Sequence, residues 1–311
     1  MQAELFCTWA SLTGPAPTNR NSLKTIARIL EDLENSGRYF EVAGIRSFVL
    51  DRGEGETVVC LHGVPASAYL YRKLVPALAS RRLRGIAFDL PGMGLADRPT
   101  RYDYSWSNLS TFVEKAIEAL GLKRYHLVVH DIGGPIGLML AARRPESILG
   151  LHVLNTMIDA DTFHRPWMMA PFAMPLLDRL WLASLNRWLM YAIFAYTGVG
   201  SFRSIPRQEI YAYVDVLKRK DGGAAFLKIM KGFELNSEVR DLCHAAVSSH
   251  HYPVQLIWGM KDRALKFKKH GKRIMEVAGL KDVTRLPGKH FLQEDCFDDI
   301  AQQIARFVSP S

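Results

Sequence analysis

The 311-residue sequence is poor in cysteine. Its four, Cys7, Cys60, Cys243 and Cys296, are scattered without CxxC spacing. That argues against a disulfide scaffold or a zinc ribbon and leaves free thiols in a reducing compartment as the expectation. Long apolar runs are missing too: the uncharged, apolar stretch 188–202 is too short to span a bilayer. The opening MQAELFCTWASLTG lacks a basic n-region and has only a broken apolar run, which argues against a signal peptide. Together these absences predict a cytoplasmic protein with no membrane span.

Charge of one sign does not cluster either. The net charge of +9 comes from 40 basic and 31 acidic residues, and the densest basic stretch, KFKKHGKR at 266–273, falls on an expected helix. It reads as a solvated face, so no nucleic-acid partner is inferred. The ten histidines show no HExxH spacing, and there is no P-loop or dinucleotide fingerprint, so neither metal nor organic cofactor is expected.

What is present is a 48 % apolar chain with enough core for one large α/β domain. After a helical segment around 22–35, the sequence reads as strands EVAGIRSFVL and TVVCL. Apolar runs at 85–90, 125–130, 149–154, 253–258 and 283–286 then alternate with amphipathic segments at 68–80, 106–121, 134–144, 267–278 and 297–308. Strand and helix alternating in this way predict a mostly parallel twisted sheet with helices on both faces. One interval breaks the rhythm: 157–249 is rich in Trp, Met, Phe and Tyr and is expected to form a helical cap. The expected division is core 1–156, cap 157–249 and core 250–311. Most cap aromatics should pack its own small core, with a minority lining a cavity.

The segment YHLVVHDIGGPIGL carries a carboxylate, Asp131, where a buried strand turns into a helix. In open α/β sheets that is where ligands bind, and a tight strand-to-helix turn there forms a nucleophile elbow. Asp131 alone reads equally well as a helix N-cap. Asp262 in WGMKDRAL and His290 in LPGKHFLQED follow two further strands; alone, each reads as a cap or an ordinary histidine. Jointly the order Asp131, Asp262, His290 is that of nucleophile, acid and base in this kind of fold. In LHGVPASAYLYR, the His62-Gly63 turn is expected to set the backbone N–H of Val64 beside that of Ile132, making an oxyanion hole.

These segments resemble the α/β-hydrolase fold from about residue 39 to 308, and within it the haloalkane dehalogenases and epoxide hydrolases. HGVPASAYLYRKLVP, HDIGGPIG, GMKDRAL and HFLQED are similar to dehalogenases whose acid follows the strand after the cap. Sister subfamilies place that carboxylate one strand earlier, where this chain has Asn155. Dehalogenases also carry a halide-binding Trp after the nucleophile and often an Asn after the HG pair; here stand Ile132 and Val64. A halide donor is therefore expected from a cap tryptophan: Trp167, Trp181 or Trp188. An epoxide hydrolase would instead need a proton donor such as Tyr191, Tyr196, Tyr211 or Tyr213.

The resemblance implies that Asp131 attacks an sp³ carbon of a small apolar haloalkane. The resulting alkyl ester is hydrolysed by water that His290 activates with the help of Asp262, giving alcohol and halide. Epoxide opening by the same route is the alternative; a ligand-binding protein with a vestigial triad is the second. The apolar outer faces of the cap could also mediate a homodimer.

Overall fold

The computed structural model describes residues 25–200 and 205–309. The expected start of the first helix at residue 22, the N-terminal stretch MQAELFCTWASLTG and Cys7 lie outside that range. Helix α1, Ile26–Ser36, begins at the N-cap Thr25 and leads into the hairpin β1, Arg38–Val42, and β2, Ile45–Arg52. Strand β3, Glu56–Leu61, is followed by a 3₁₀ turn at Ala68–Tyr71, helix α2, Leu74–Ala79, and β4, Leu83–Phe88. Helix α3, Trp106–Ala119, starts where Ser105 Oγ accepts from the Asn108 N–H at 3.3 Å, a cap worth about 1 kcal/mol. Strand β5, Tyr125–Asp131, helix α4, Gly133–Arg143, and strand β6, Ile148–Thr156, complete the first part of the core.

The inserted segment contains α5, Leu177–Ser184, α6, Arg187–Ile193, α7, Arg207–Lys218, and α8, Ala224–Lys231, together with a 3₁₀ turn at Ala170–Ala173 and a π turn at Phe194–Gly198. Helix α9, Ser237–Val247, precedes β7, Val254–Gly259, α10, His270–Ala278, β8, Thr284–Leu286, α11, Leu292–Asp295, and α12, Phe297–Val308.

The eight strands form one sheet in the order β1-β2-β4-β3-β5-β6-β7-β8, antiparallel at β1–β2 and β2–β4 and parallel elsewhere. From β3 the chain first adds β4 on one side and then crosses to add β5 on the other. That reversal opens a crevice at the carboxyl ends of β3 and β5. Every residue of β5 is buried, as expected of a central strand covered on both faces. Helices α2 and α12 pack together over one face, and α3, α4, α9 and α10 form a row over the other.

This packing corrects one sequence expectation. The segment 157–249 is not cap throughout, because α9 lies against α4 and α10 in the helical row of the core. Its buried Val239, Cys243, Ala246 and Val247 face that row, so the cap ends near Gly232. The three described cysteines, Cys60, Cys243 and Cys296, are free and buried. Among the described residues no helix is long and apolar enough to cross a membrane.

Candidate active site

Asp131 closes β5 with φ at +53°, a left-handed backbone that lifts its carboxylate above the sheet edge. Thr156 Oγ, on the neighbouring strand β6, donates to the Asp131 carbonyl at 2.6 Å and pins the bend. Two glycines make the close approaches possible. A side chain at Gly63 would collide with the Asp131 carboxylate, and one at Gly134 with Thr156. Because β3 pairs with β5 through Leu61 opposite Val129, the loop after β3 arrives beside the elbow. Its Val64 N–H donates to Asp131 Oδ1 at 2.8 Å, and the Ile132 N–H also bonds the carboxylate. The two backbone donors expected at this rim thus already bracket the carboxylate on which an oxyanion would form.

The other oxygen, Oδ2, lies 3.4 Å from His290 Nε2. On the far side of the ring, Nδ1 is 2.8 Å from Asp262 Oδ2. The structure therefore brings Asp131, His290 and Asp262 into one chain of contacts from the ends of β5, β8 and β7. Asp262 Oδ1 accepts from the N–H groups of Ala264, at 2.7 Å, and Leu265, at 2.9 Å. Asn155 Nδ2 donates to Asp262 Oδ2 at 2.7 Å while its Oδ1 accepts from the Gly259 N–H at 2.8 Å. Asn155 thus holds the Asp262 carboxylate from the neighbouring strand β6.

Burial alone would raise the Asp131 carboxyl, but the hydrogen bond and charge of His290 outweigh it and hold the group below the ordinary carboxylate range. Burial works against a charged His290 as well. The Asp262 charge and the Asp131 hydrogen bond overcome it and push the imidazole up to about 10. Both carboxylates thus favour the charged form of His290 between them. His130, also in the elbow segment, is pulled down to about 4 by burial and the neighbouring His290. Neutral, its Nε2–H donates to the His290 carbonyl at 2.8 Å. The base loop is further tied to the cap, since His290 N–H donates to Thr197 O at 3.0 Å and Phe291 N–H to Gly198 O at 2.8 Å.

Asp131 and His290 open into a cavity of about 60 Å³, room for roughly four water-sized spheres. Its wall is apolar and rich in methionine, with Met157, Met168, Met169 and Met230 beside Phe163, Phe233 and Phe291. Unbranched thioethers repack easily, so a small cavity here can accept more than one shape.

None of the three expected tryptophans is on that wall. Trp167 and Trp188 are 72 % and 70 % exposed, and the Trp181 indole donates to the Met168 carbonyl at 3.0 Å. The wall is filled instead by Met and Phe side chains from the segments that flank the short helices, Phe163, Met168, Met169 and Phe233, with Met230 from α8, and this leaves the larger indoles off it. The expected tyrosines fare no better. Tyr213 donates to Glu294 at 2.5 Å, within a cluster that also holds Arg72. Tyr196 lies under Arg263, and Tyr191 and Tyr211 pack against each other. What the cavity does contain from the cap, and what sequence reasoning missed, is Arg165. The signal was available: Arg165 precedes an uncharged run, 166–177, in a segment expected to be apolar.

A sequence profile of the α/β-hydrolase fold matches residues 56–295. The chain is 29 % identical over 287 residues to a cis-3-alkyl-4-alkyloxetan-2-one decarboxylase of Shewanella oneidensis, an alignment covering 86 % of each protein. It is 28 % identical over 274 residues to haloalkane dehalogenase 2 of Mycobacterium tuberculosis, covering 86 % of this chain and 93 % of that one. The crystal structure of haloalkane dehalogenase DbeA from Bradyrhizobium elkani superposes with a TM-score of 0.73 at 23 % identity, over 88 % of this chain and 97 % of the other. With a sheet, elbow and base loop of this arrangement and a match across most of its length, the chain belongs to the α/β-hydrolase fold family, as a hydrolase-type enzyme.

Proposed function

We propose that this protein forms an alkyl ester between Asp131 and an sp³ carbon of a small, largely apolar electrophile and then hydrolyses that ester. One observation carries the reading: a carboxylate held ionised at the elbow, with one oxygen braced by a backbone N–H at 2.8 Å and the other facing the cavity beside His290. An ionised carboxylate needs no base to attack carbon. Alkylation removes the Asp131 charge, and with it one of the two anions that keep His290 protonated. The imidazole then becomes able to take a proton from water, with Asp262 still orienting it. Water adds to the ester carbonyl, and the N–H groups of Val64 and Ile132 hold the oxyanion that develops on Asp131 itself.

The names of the two relatives, a haloalkane dehalogenase and an oxetan-2-one decarboxylase, both describe substrates with an electrophilic sp³ carbon and a leaving group, which supports this route. Haloalkane cleavage remains a reading of the site, although the described wall offers a departing halide no indole N–H. Epoxide opening lacks a phenol on the same wall.

The test is a trap. His290→Phe should still be alkylated but should not turn over. Intact-mass analysis after exposure to a 1-bromoalkane should show one added alkyl group, mapping to the peptide that contains Asp131. If the native enzyme turns over that bromoalkane and the variant never acquires mass, the proposal fails.

A further inference from the structure

Apart from Asp131 and His290, the side chains on the cavity wall include two that carry a polar group, Thr197 and Arg165. The Thr197 hydroxyl is already donated to the Ile193 carbonyl at 2.9 Å. Arg165 is different. It is half-buried, with its guanidinium 4.5 Å from the centre of the Phe233 ring and Nη2 donating to the Met230 carbonyl at 2.9 Å. Its Nε is buried with no hydrogen-bond partner. Among the described residues no carboxylate pairs with it, whereas the other buried arginines are paired, Arg72 with Glu294 and Arg98 with Asp221. Burial accordingly lowers the Arg165 pKa with no charge to offset it. A half-buried cation without a counterion is costly, and an anion arriving in the cavity would relieve that cost.

We infer that Arg165 is the anion-binding residue of this cavity and that the electrophile it selects is a small oxetan-2-one, whose opening by Asp131 delivers a carboxylate to the guanidinium. A carboxylate matches the planar fork of arginine with two parallel hydrogen bonds, which a spherical halide or a lone alkoxide cannot do. The inference rests on the covalent reading above and adds the leaving group to it. Asp131 Oδ2 forms a bond to the ring carbon C4. The C4–O1 bond breaks with its electron pair on O1, which becomes part of the carboxylate held by Arg165. Two balanced exits follow. Water attacks the Asp131 ester carbonyl and releases a 3-hydroxy acid. In the other exit the C2–C3 bond breaks to give CO₂, its pair forms the C3–C4 double bond, and the C4–O bond pair returns to Asp131 as carboxylate, freeing an alkene.

The experiment compares Arg165→Met and Arg165→Lys with the parent, each in the native and the His290→Phe background. The substrates are cis-3,4-dimethyloxetan-2-one, 1-bromobutane and 2-bromobutanoate. Oxetanone consumption should fall about 10²-fold more than bromobutane alkylation in Arg165→Met, the range for losing one positioned charge donor, and Arg165→Lys should recover part of it. Binding of pentanoate against pentan-1-ol, measured calorimetrically on the parent, supplies a readout that does not depend on a variant folding. The alkanoate should bind more tightly, and that preference should vanish in Arg165→Met. Equal losses for oxetanone and bromobutane, or no preference for pentanoate, would overturn the role of Arg165. Faster reaction with 2-bromobutanoate than with the oxetanone would place the carboxylate in the body of the substrate and overturn the ring-opening assignment. No adduct on Asp131 from any of the three would instead overturn the covalent reading beneath it.

Discussion

At the sheet rim, the carboxylates of the Asp131–His290–Asp262 chain are fixed by partners that the strand order brings to them. Asp131 Oδ1 is held by the Val64 N–H, and both oxygens of Asp262 are held by Asn155, Ala264 and Leu265. The cap wall is built differently. Helices α5, α6 and α8 have seven or eight residues each, too short to be stable alone, and the cavity takes flexible methionines from α8, Met230, and from the segment ahead of α5, Met168 and Met169. Large apolar side chains, Leu176 at 88 % and Leu180 at 70 % exposure, stay outside. The contrast teaches where chemistry and selectivity reside. On the proposed function, the rim would perform a reaction that tolerates no displacement, while the cap would set which molecule reaches it through side chains that can repack.

Changes at the rim should therefore be far more damaging than changes in the cap. Asp131→Asn should cost on the order of 10⁶ in turnover, as removal of a catalytic nucleophile does elsewhere, apart from any slow deamidation back to Asp. Steady-state rates with a competent substrate measure it. Asp262→Asn should cost about 10⁴ by the triad analogy. Adding Asn155→Asp to that variant returns a carboxylate to the same cluster and should recover at least roughly tenfold of the 10⁴. A double variant no better than the single would show that Asn155 is not placed to substitute.

The proton on His290 gives a smaller but sharper comparison. Its folded pKa is raised to about 10 by two carboxylates, so NMR titration of the resting enzyme should find it charged at pH 8. In Asp131→Asn, with one of those charges gone, its midpoint should move down. An unchanged midpoint would mean that Asp131 does not act on the imidazole.

The smallest effects belong to the cap's outer side. Trp188→Ala should change turnover by no more than about twofold, as expected of a surface residue. Trp181→Phe loses the bond to the Met168 carbonyl and should lower stability by about 1 kcal/mol with little change in activity, as thermal melts and rates would show.

The same division governs what could be read from the sequence. Strands β5 and β6 and helix α12 were legible because a central strand is apolar throughout and a surface helix repeats its apolar face. Asp131 and His290 stood out because strand ends and glycine turns are local signals. The facing of Trp167, Trp181 and Trp188 was not legible. In a segment apolar on every side, periodicity names no single buried face, and the tertiary packing of short helices decides it. For the same reason α9 was read with the cap: its place against α4 is a long-range contact with no local mark. Arg165 carried a local mark, a lone charge before an uncharged run, but which side of the wall it would face was again a matter of packing.

The covalent role of Asp131 is tested most directly by a single turnover of native enzyme in H₂¹⁸O, with enzyme in excess over a substrate it hydrolyses. If water attacks the ester carbonyl, the label enters the Asp131 carboxylate, and the product hydroxyl carries the unlabelled oxygen that Asp131 gave up. Mass spectrometry of the peptide containing Asp131 should show the gain of ¹⁸O and the product should show none. Label in the product hydroxyl and none in that peptide would mean that water attacks the substrate carbon directly, and would contradict the account.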